Sequence, residues 1–515
     1  MRTMMFVGEL KSIQITNRHS EFIKMSLKIS EKANPNYLAK VVKLNGLRKH
    51  SNADKLQVIT IDGNNVITGL EANDGDVYVY FPLECAINKG FLSYTNSFED
   101  KTLNSNDEVR GFFNAKGRVR AINLRNEKSC GYIVPTHCIE EWLGNNFKIT
   151  EDDVNIEFDT ICGELICEKY VNREAILQQS KNTSKKNQKK LAKETKLIEG
   201  QFAFHIDTPQ LGKFAHHLNP YDVIHISKKL HGTSAIAGKV LCNRRLNLRD
   251  RVARFFGVNI QDTEYQLIWS SRKVVKNGNY YLSWQETLGR NIMFYIKKPQ
   301  HLMSDLASAI RSPVSTYKNV KDWLAFISSG PSQNHYYSYD LWRDVALSLE
   351  NYLTDGLTIY CEVVGYTKDG GHIQKQYDYG CEPNTFDIYI YRIVYTATSG
   401  RTFEFSTQQV KEYCEKYDLK MVPELYWGRA KDLFDIPLDD NWNETFIQQL
   451  SDEYLEKECD MCVNKVPDEG IVLRREVFGI DPYKFRSFAF KLRETKQADA
   501  GEIDLETIES EDETL

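Results

Sequence analysis

The sequence lacks any long hydrophobic run, which excludes the classes of protein that need one. Among its 515 residues, the N-terminal MRTMMFVGELK has too short an apolar stretch for a signal peptide, and no stretch is long enough to span a membrane. The 11 cysteines are an odd number and are scattered, which is typical of free thiols in a reducing compartment. We therefore expect a cytoplasmic protein, with the nucleus as the alternative.

An overall basic excess and a complete set of zinc ligands are also missing. The formal net charge is −5, so any binding of nucleic acid must come from local basic patches. Cys459 and Cys462 form the only C-x-x-C motif. Because no second pair accompanies it, we interpret these cysteines as packing residues of a helix and not as metal ligands.

The composition divides the chain into five parts. Residues 1–36 alternate apolar and polar side chains and suggest a short extension of unknown function. Residues 37–145 contain short strands separated by turn residues, which favours a small β-barrel. Residues 146–200 form a linker rich in lysine, strands and helices mix over residues 201–494, and residues 495–515 form an acidic tail that we expect to be disordered.

Basic side chains gather in the strand-rich part and in the linker. The segment GRVRAINLR places Arg118, Arg120 and Arg125 on predicted strands, where a basic face would suit a phosphate backbone. Lys185 and Lys189 recur four residues apart and would form a basic stripe on a helix. We predict that these five residues bind nucleic acid, while a solvated strand face and a solvated linker helix remain alternative interpretations.

The stretch KKLHGTSAIAGKV, residues 228–240, is the first candidate for chemistry. Lys229 ends an alternating run that predicts a strand, and Gly232 follows where the backbone can bend sharply or approach a ligand. A lysine that is partly desolvated and close to other cations has a lowered pKa and can act as a nitrogen nucleophile. The K-x-x-G pattern alone is weak, because a surface lysine before a turn has the same form.

Later strands supply the other groups that an attack on the α-phosphate of ATP requires. Cations must neutralise the departing pyrophosphate, carboxylates must hold a metal and the ribose, and an aromatic face must hold the base. These groups follow in order on predicted strands: Arg272 in SSRK, Glu362 in YCEVVG, Phe386 in FDIYIYRI, Glu469 in DEGIVLRRE, and Lys484 with Arg486 in YKFRSFAF. Lys491 with Arg493 is a second possible position for the last basic pair.

As an ordered set, these motifs resemble the covalent nucleotidyltransferase superfamily of ligases and capping enzymes. KLHGTS resembles the nucleophile motif, EVVG and EGIVLR the two glutamate motifs, and KFR the final K-x-K motif. Together with HSNADKL, QFAFHIDTPQLGK and QKQYDYGC, they resemble more closely the Deinococcus-type RNA ligase family, also known from Naegleria, over most of residues 37–494. The resemblance implies an α+β protein, in which an OB-like β-barrel precedes a nucleotidyltransferase domain of antiparallel sheets flanked by helices.

The resemblance further implies an ATP-dependent RNA ligase that seals 3′-OH and 5′-phosphate ends, with nicks in duplexes as the expected substrate. It implies that Lys229 forms lysyl-AMP, that Phe386 stacks on adenine, and that Glu362 and Glu469 hold the ribose and a Mg²⁺ or Mn²⁺ ion. The remaining ATP-binding residues that it implies are His231, Gly232, Arg272, Lys484 and Arg486.

The sequence also departs from a minimal ligase. Arg486 stands where the family motif has a second lysine, and a planar guanidinium differs in geometry from an ammonium group. Insertions lie around residues 243–262 and 282–340. A DNA ligase, a capping-type enzyme and an inactive RNA-binding protein remain alternatives. We expect residues 37–145 to hold nucleic acid and residues 201–494 to carry out the ATP chemistry without them.

Overall fold

The computed structural model describes residues 27–144, 147–171, 197–276, 337, 340–476 and 481–502, except residues 206, 245 and 247. This part of the chain combines helices with antiparallel sheets, which confirms the mixed fold class. None of its helices has the length and apolar character needed to cross a bilayer. Lys185, Lys189 and residues 503–515 lie outside the described residues, so the predictions made for them stay predictions. The expectation that the tail is disordered from residue 495 is wrong for its first residues, because Phe488–Asp499 is a helix.

The N-terminal part is built from short antiparallel strands and two short helices. Its strands are β1 Leu27–Lys28, β2 Ala39–Lys43, β3 Arg48–Lys49, β4 Leu56–Ile61, β5 Asn64–Gly69, β6 Val77–Pro82, β7 Cys85–Ile87, β8 Ala121–Leu124, β9 Glu127–Pro135, β10 Glu157–Phe158, β11 Thr160–Ile161, β12 Glu164–Leu165 and β13 Cys167–Lys169. Its helices are α1 Lys89–Tyr94 and α2 Thr136–Leu143.

The described strands of this part form open sheets and do not pair into a closed barrel. The largest sheet has the order β10-β2-β6-β9-β8, and a three-stranded sheet, β3-β4-β5, lies beside it. The Ile67 N–H on β5 donates to Ser129 Oγ on β9 at 3.1 Å, so a side chain links the two sheets where a barrel would have a backbone ladder.

The C-terminal part contains two larger sheets. Its strands are β14 Val223–Lys229, β15 Thr233–Asn243, β16 Thr263–Ser270, β17 Leu357–Gly365, β18 Phe386–Thr396, β19 Thr402–Glu404, β20 Glu424–Arg429, β21 Gly470–Arg475 and β22 Asp481–Arg486. Its helices are α3 Leu248–Phe255, α4 Leu341–Leu349, α5 Thr407–Tyr417, α6 Trp442–Tyr454 and α7 Phe488–Asp499. The sheet orders are β20-β14-β21-β22 and β16-β15-β17-β18-β19.

Helix α6 ends earlier than its sequence pattern predicts, and this changes the interpretation of the two cysteines. The pattern predicts a helix over residues 443–462, but α6 ends at Tyr454. Cys459 lies beyond it in a loop, where its N–H donates to the Val466 oxygen at 2.8 Å. The prediction that Cys459 and Cys462 pack within a helix is therefore wrong.

Among the described residues, helices pack on one face of each large sheet. Helix α4 packs on the β15–β17 face through a core that includes Trp342, Ile359 and Val363. Helix α6 packs on the β14–β21 face through a core that includes Phe446 and Ile226. Because strand side chains alternate between faces, the residues between these apolar positions point to the other side of each sheet.

Candidate active site

The opposite faces of the two large sheets contribute to the wall of a cavity of about 1070 Å³. Strand β14 contributes Ser227 and Lys229 to its wall, and β17 contributes Glu362. On each strand these residues alternate with the apolar residues that pack under a helix. A single cavity therefore collects side chains that are far apart in the sequence.

Lys229 lies at the end of β14, where it pairs with Gly470 of β21. This register brings its Nζ to 2.7 Å from Oε1 of Glu469, and the Lys229 side chain stays 27% exposed to the cavity. Its neighbour Lys228 bonds instead to Asp460 and Asp468. The lysine that is predicted to be the nucleophile is thus the one paired with the predicted metal-binding glutamate.

The turn after Lys229 requires a glycine at position 232. A Cβ added to Gly232 would overlap the backbone oxygen of Val363 and lie 2.9 Å from Cγ1 of Val364. The Gly232 N–H donates to Oε1 of Glu362 at 3.0 Å, and Gln374 Nε2 donates to the Gly232 oxygen at 2.7 Å. The absence of a side chain therefore lets the backbone come close to Glu362 and fixes the position of that carboxylate.

His231 is held on the same turn by aromatic residues. Its backbone N–H donates to the hydroxyl of Tyr379 at 2.6 Å. Its ring makes edge contacts with Tyr377 and Phe490, each with centroids 4.9 Å apart. Its Nδ1 lies 4.0 Å from Oε2 of Glu469, so His231 borders the candidate metal position.

Several cations surround the cavity floor beside Lys229. Burial, and then repulsion by Arg486 and further cations, lowers the pKa of Lys484 to about 7. Arg272 forms an ion pair with Asp207. Burial alone would raise the pKa of Asp207, but Arg272 and Lys484 outweigh it and hold that pKa well below its usual range. This concentration of positive charge suits a polyphosphate ligand.

The two candidate positions for the final basic pair have different surroundings. Lys484 and Arg486 line the cavity on β22, and Arg486 Nη1 donates to Oε2 of Glu494 at 2.6 Å. Lys491 is buried on α7 and donates to Oδ1 of Asn64 at 2.9 Å, outside the cavity. The geometry therefore favours the first pair.

Phe386 is not among the residues that line the cavity, which contradicts its predicted role of stacking on adenine. It packs against the α4 core, as Ile388 and Ile390 on the same strand do. The sequence analysis missed Tyr391, which lines the cavity from β18, with its hydroxyl 3.3 Å from Ser234 Oγ and from His205 Nδ1. Because side chains alternate along a strand, the apolar positions of β18 place Tyr391 on the opposite face, and this pattern could have identified it.

Arg118 does not lie on an exposed basic face, so its predicted contact with nucleic acid is wrong. Its side chain is fully buried, and it donates from Nε and Nη2 to the two carboxylate oxygens of Glu84 at 2.8 and 2.6 Å. Arg118 Nη1 lies 3.4 Å from Asp499 of α7. Arg120 lies 3.5 Å from Asp499 and is partly exposed, and Arg125 is exposed at a turn.

The N-terminal part contributes directly to the cavity wall. Tyr37, Glu84 and Arg118 line it together with the C-terminal strands. Asn34 Nδ2 donates to Oδ2 of Asp207 at 3.0 Å, on the carboxylate that also pairs with Arg272. The expectation that residues 201–494 form the ATP site without residues 37–145 therefore disagrees with the structure.

Glu469 fits a divalent cation that is held mainly by its substrate. It is 4% exposed, and its Oε2 has no hydrogen-bond partner among the described residues. The described part of the chain contains no group of three or more His, Cys, Asp or Glu residues arranged to hold a metal. Mg²⁺ often binds through one or two carboxylates together with phosphates and water, so Glu469 and Glu362, which lines the same cavity, suit that form of binding.

Comparison with solved structures finds similarity to RNA ligase from Naegleria gruberi. An apo point mutant has 14% identity and a TM-score of 0.45, with 89% of this chain and 98% of that chain covered. The complex with PPi has 14% identity and a TM-score of 0.43, with 90% and 99% covered. A further point mutant, solved with ATP and Mn, has 12% identity and a TM-score of 0.43, with the same coverage.

The sequence comparisons identify a family but no individual curated relative. No curated protein gives a significant match. The sequence profile of the RNA ligase family matches residues 222–493, which is more than half of the chain and spans the motifs from Lys229 to Arg486. The predicted enzyme class is thereby confirmed: the chain belongs to the RNA ligase family.

Proposed function

We propose that the protein is an ATP-dependent RNA ligase that joins a 3′-OH to a 5′-phosphate, with nicks in RNA-containing duplexes as its substrate. The observation that supports this proposal most directly is the ion pair of Lys229 with Glu469 in a cavity that is also lined by Lys484, Arg486 and Arg272. A nucleophilic amine, a carboxylate and a cationic phosphate site lie together there.

In the first step, Lys229 Nζ attacks the α-phosphorus of ATP. The N–P bond forms, the bond from that phosphorus to the bridging oxygen breaks, and pyrophosphate leaves. The amine must be neutral to attack, and the ion pair with Glu469 favours its ammonium form, so the reaction requires that pair to open and one proton to pass to solvent. The nitrogen loses a second proton to solvent as the N–P bond forms. Lys484 and Lys229 repel each other, and Lys484 and Arg486 stabilise the charge that develops on pyrophosphate.

Glu469 would hold a divalent ion, with Glu362 as the second carboxylate. Such an ion, when bound, neutralises phosphate charge. Glu469 can accept it through Oε2, the oxygen that is left without a hydrogen bond. For the base, Tyr391 replaces Phe386 in this proposal, because Tyr391 lines the cavity and Phe386 does not.

The second and third steps use the same lysine and the RNA ends. An oxygen of the 5′-phosphate attacks the phosphorus of lysyl-AMP, the N–P bond breaks, and Lys229 recovers its amine. The 3′-OH then attacks the 5′-phosphorus, forms the phosphodiester and releases AMP. A 2′-OH at the 3′-terminal nucleotide distinguishes RNA from DNA, so an RNA 3′ end is the expected acceptor.

The N-terminal part of the chain is proposed to contact the RNA. Residues 37–145 form an OB-like module in this proposal, in which exposed Arg125 and partly exposed Arg120 contact phosphates. Lys185 and Lys189, outside the described residues, extend the basic surface. Arg118 is excluded from this role by its burial.

The experiment incubates the purified protein with labelled ATP and Mg²⁺ or Mn²⁺, followed by denaturation and peptide mass analysis. We expect one adenylyl group on Lys229 and none on the Lys229→Ala variant. Lys228→Ala is the matched control, because Lys228 is adjacent but bonds to Asp460 and Asp468. An adduct on Lys228, or no adduct at all, would overturn the proposal. Sealing of nicks with RNA or DNA at each end then identifies the substrate.

A further inference from the structure

A basic and aromatic surface lies at the tip of the β15–β16 hairpin, far from the cavity. Residues 243–262 hold five arginines against two aspartates, in a chain whose net charge is −5. Helix α3 lies within this tip, and Phe255 and Phe256 at its C-terminal end are 84% and 75% exposed. We name residues 243–262 the hairpin tip.

The two phenylalanines are held in place by the fold of the hairpin tip. Gly257 has a φ of +80° and ends the helix, and the Val258 N–H donates to the Ala253 oxygen at 3.0 Å. Arg254 pairs with Asp262 at 3.0 Å, and this bond ties the helix to the start of β16. The rings therefore project from a braced element.

In an RNA ligase, exposed aromatic rings beside arginines suit the binding of RNA whose bases are unpaired. Two neighbouring phenylalanines left in water lack the burial that usually stabilises such side chains, and contiguous apolar surface of this kind marks an interaction site. Arginines attract phosphates, and aromatic rings stack on bases that are not already stacked in a duplex. Charge complementarity thus selects a polyanion, and the rings select unpaired nucleotides.

We propose that the hairpin tip binds unpaired nucleotides of the RNA substrate, with Phe255 and Phe256 stacking on bases and Arg249 and Arg251 contacting phosphates. The inference rests on the proposed function, because it assigns a second contact to the same substrate. It implies that a single-stranded region beside the nicked duplex strengthens binding of the substrate.

The hairpin sets the distance of this contact from the joining site. Strand β15 begins directly after Gly232, and β16 ends just before Arg272, so both strands lead to the cavity. At about 3.3 Å per residue, β15 places the tip up to roughly 33 Å away. That distance corresponds to about ten nucleotides of a stacked strand at about 3.4 Å each.

The test measures binding of the full-length protein to labelled, non-reactive RNA. The ligands are a single strand of roughly 20 nucleotides, about twice the span above, and a fully paired nicked duplex. We expect the double variant Phe255→Ala/Phe256→Ala to bind the single strand at least about tenfold more weakly and the duplex unchanged. Phe403→Ala is the matched control, because Phe403 is 51% exposed on β19, at the opposite edge of the same sheet.

A second pair of variants separates phosphate binding from stacking. Arg249→Gln/Arg251→Gln should reduce the salt dependence of single-strand binding by about 0.7 in log–log slope for each phosphate that the variant no longer neutralises. The exposed Arg401→Gln is the control. The proposal is overturned if the phenylalanine variant and the parent bind the single strand equally. It is also overturned if the variant binds phosphatidylserine vesicles more weakly than the parent while its binding to the single strand is unchanged. Lysyl-AMP formation needs no RNA. A protein that forms no lysyl-AMP would therefore refute the proposed function, while the binding of RNA by the hairpin tip would still be decided by the binding measurements.

Discussion

Lys484 is a buried cation among other cations, and its replacement should stabilise the fold while it abolishes the ATP chemistry. Its pKa is about 7, compared with an ordinary value of 10.5. At about 1.36 kcal/mol per pKa unit, this difference sets an upper limit of about 5 kcal/mol on the free energy that the protonated lysine costs the folded state. Because Met loses the attraction to Asp207 as well as the repulsion, we expect Lys484→Met to gain about 1–3 kcal/mol.

The pH dependence of this gain has a definite sign. The folded-state pKa of Lys484 lies below its unfolded-state value, so between about pH 10.5 and 7 the unfolded chain binds more protons at this residue. The stability of the parent protein therefore falls as the pH falls through this window, and the cost is constant below about pH 7. The advantage of Lys484→Met should be largest near pH 7 and close to zero near pH 10.

Denaturant unfolding at several pH values, with parent and variant measured together, tests this prediction. Lys457→Met is the control, because Lys457 is an exposed lysine whose ion-pair partner, Glu453, is also exposed. Lys484→Met should in addition form no lysyl-AMP, since it removes a cation from the phosphate site. A variant that is less stable than the parent near pH 7, or an advantage that does not shrink as the pH rises, would refute the reasoning.

Three other substitutions test separate parts of the site. Glu469→Gln should keep the far-UV circular dichroism of the parent but form no lysyl-AMP even in excess Mg²⁺, and full adenylation would exclude its role. Gly232→Ala should lower the free energy of unfolding by about 2 kcal/mol, because the new Cβ overlaps the Val363 oxygen; an unchanged melting temperature would contradict this. Arg118→Met should cost about 3 kcal/mol, because it leaves the partly buried Glu84 without its partner, and should reduce lysyl-AMP formation; loss of RNA affinity alone would restore the nucleic-acid role.

The sequence predicts the side chains that carry chemistry better than it predicts their surroundings. Lys229, Glu362 and Glu469 occur at strand positions whose alternation brings them to one cavity, and Gly232 is identified by the turn that it permits. The role predicted for Phe386 fails because alternation gives two faces of a strand but does not say which face a helix will cover. The core built with helices α4 and α5 covers the face that holds Phe386 and leaves Tyr391 in the cavity.

The burial of Arg118 shows a second limit. An arginine in a basic strand has the same local sequence whether it faces solvent or an ion-pair partner. Here the partners are Glu84, which lies 34 residues before it, and Asp499, which lies 381 residues after it. The fold of the N-terminal part brings Glu84 to Arg118, and the packing of α7 brings Asp499. No local pattern in the sequence contains that information.

Helix α7 connects the N-terminal part of the chain to the phosphate site. Its Thr495 hydroxyl accepts a hydrogen bond from the Ala121 N–H at 3.2 Å, and Asp499 pairs with Arg118. On the same helix, Glu494 holds Arg486, the cation that faces the cavity from β22. Because a packed helix moves as a unit, a shift of the N-terminal part on RNA would also move the carboxylate that positions Arg486. The N-terminal part therefore belongs to the ATP site as well as to the proposed RNA-binding surface.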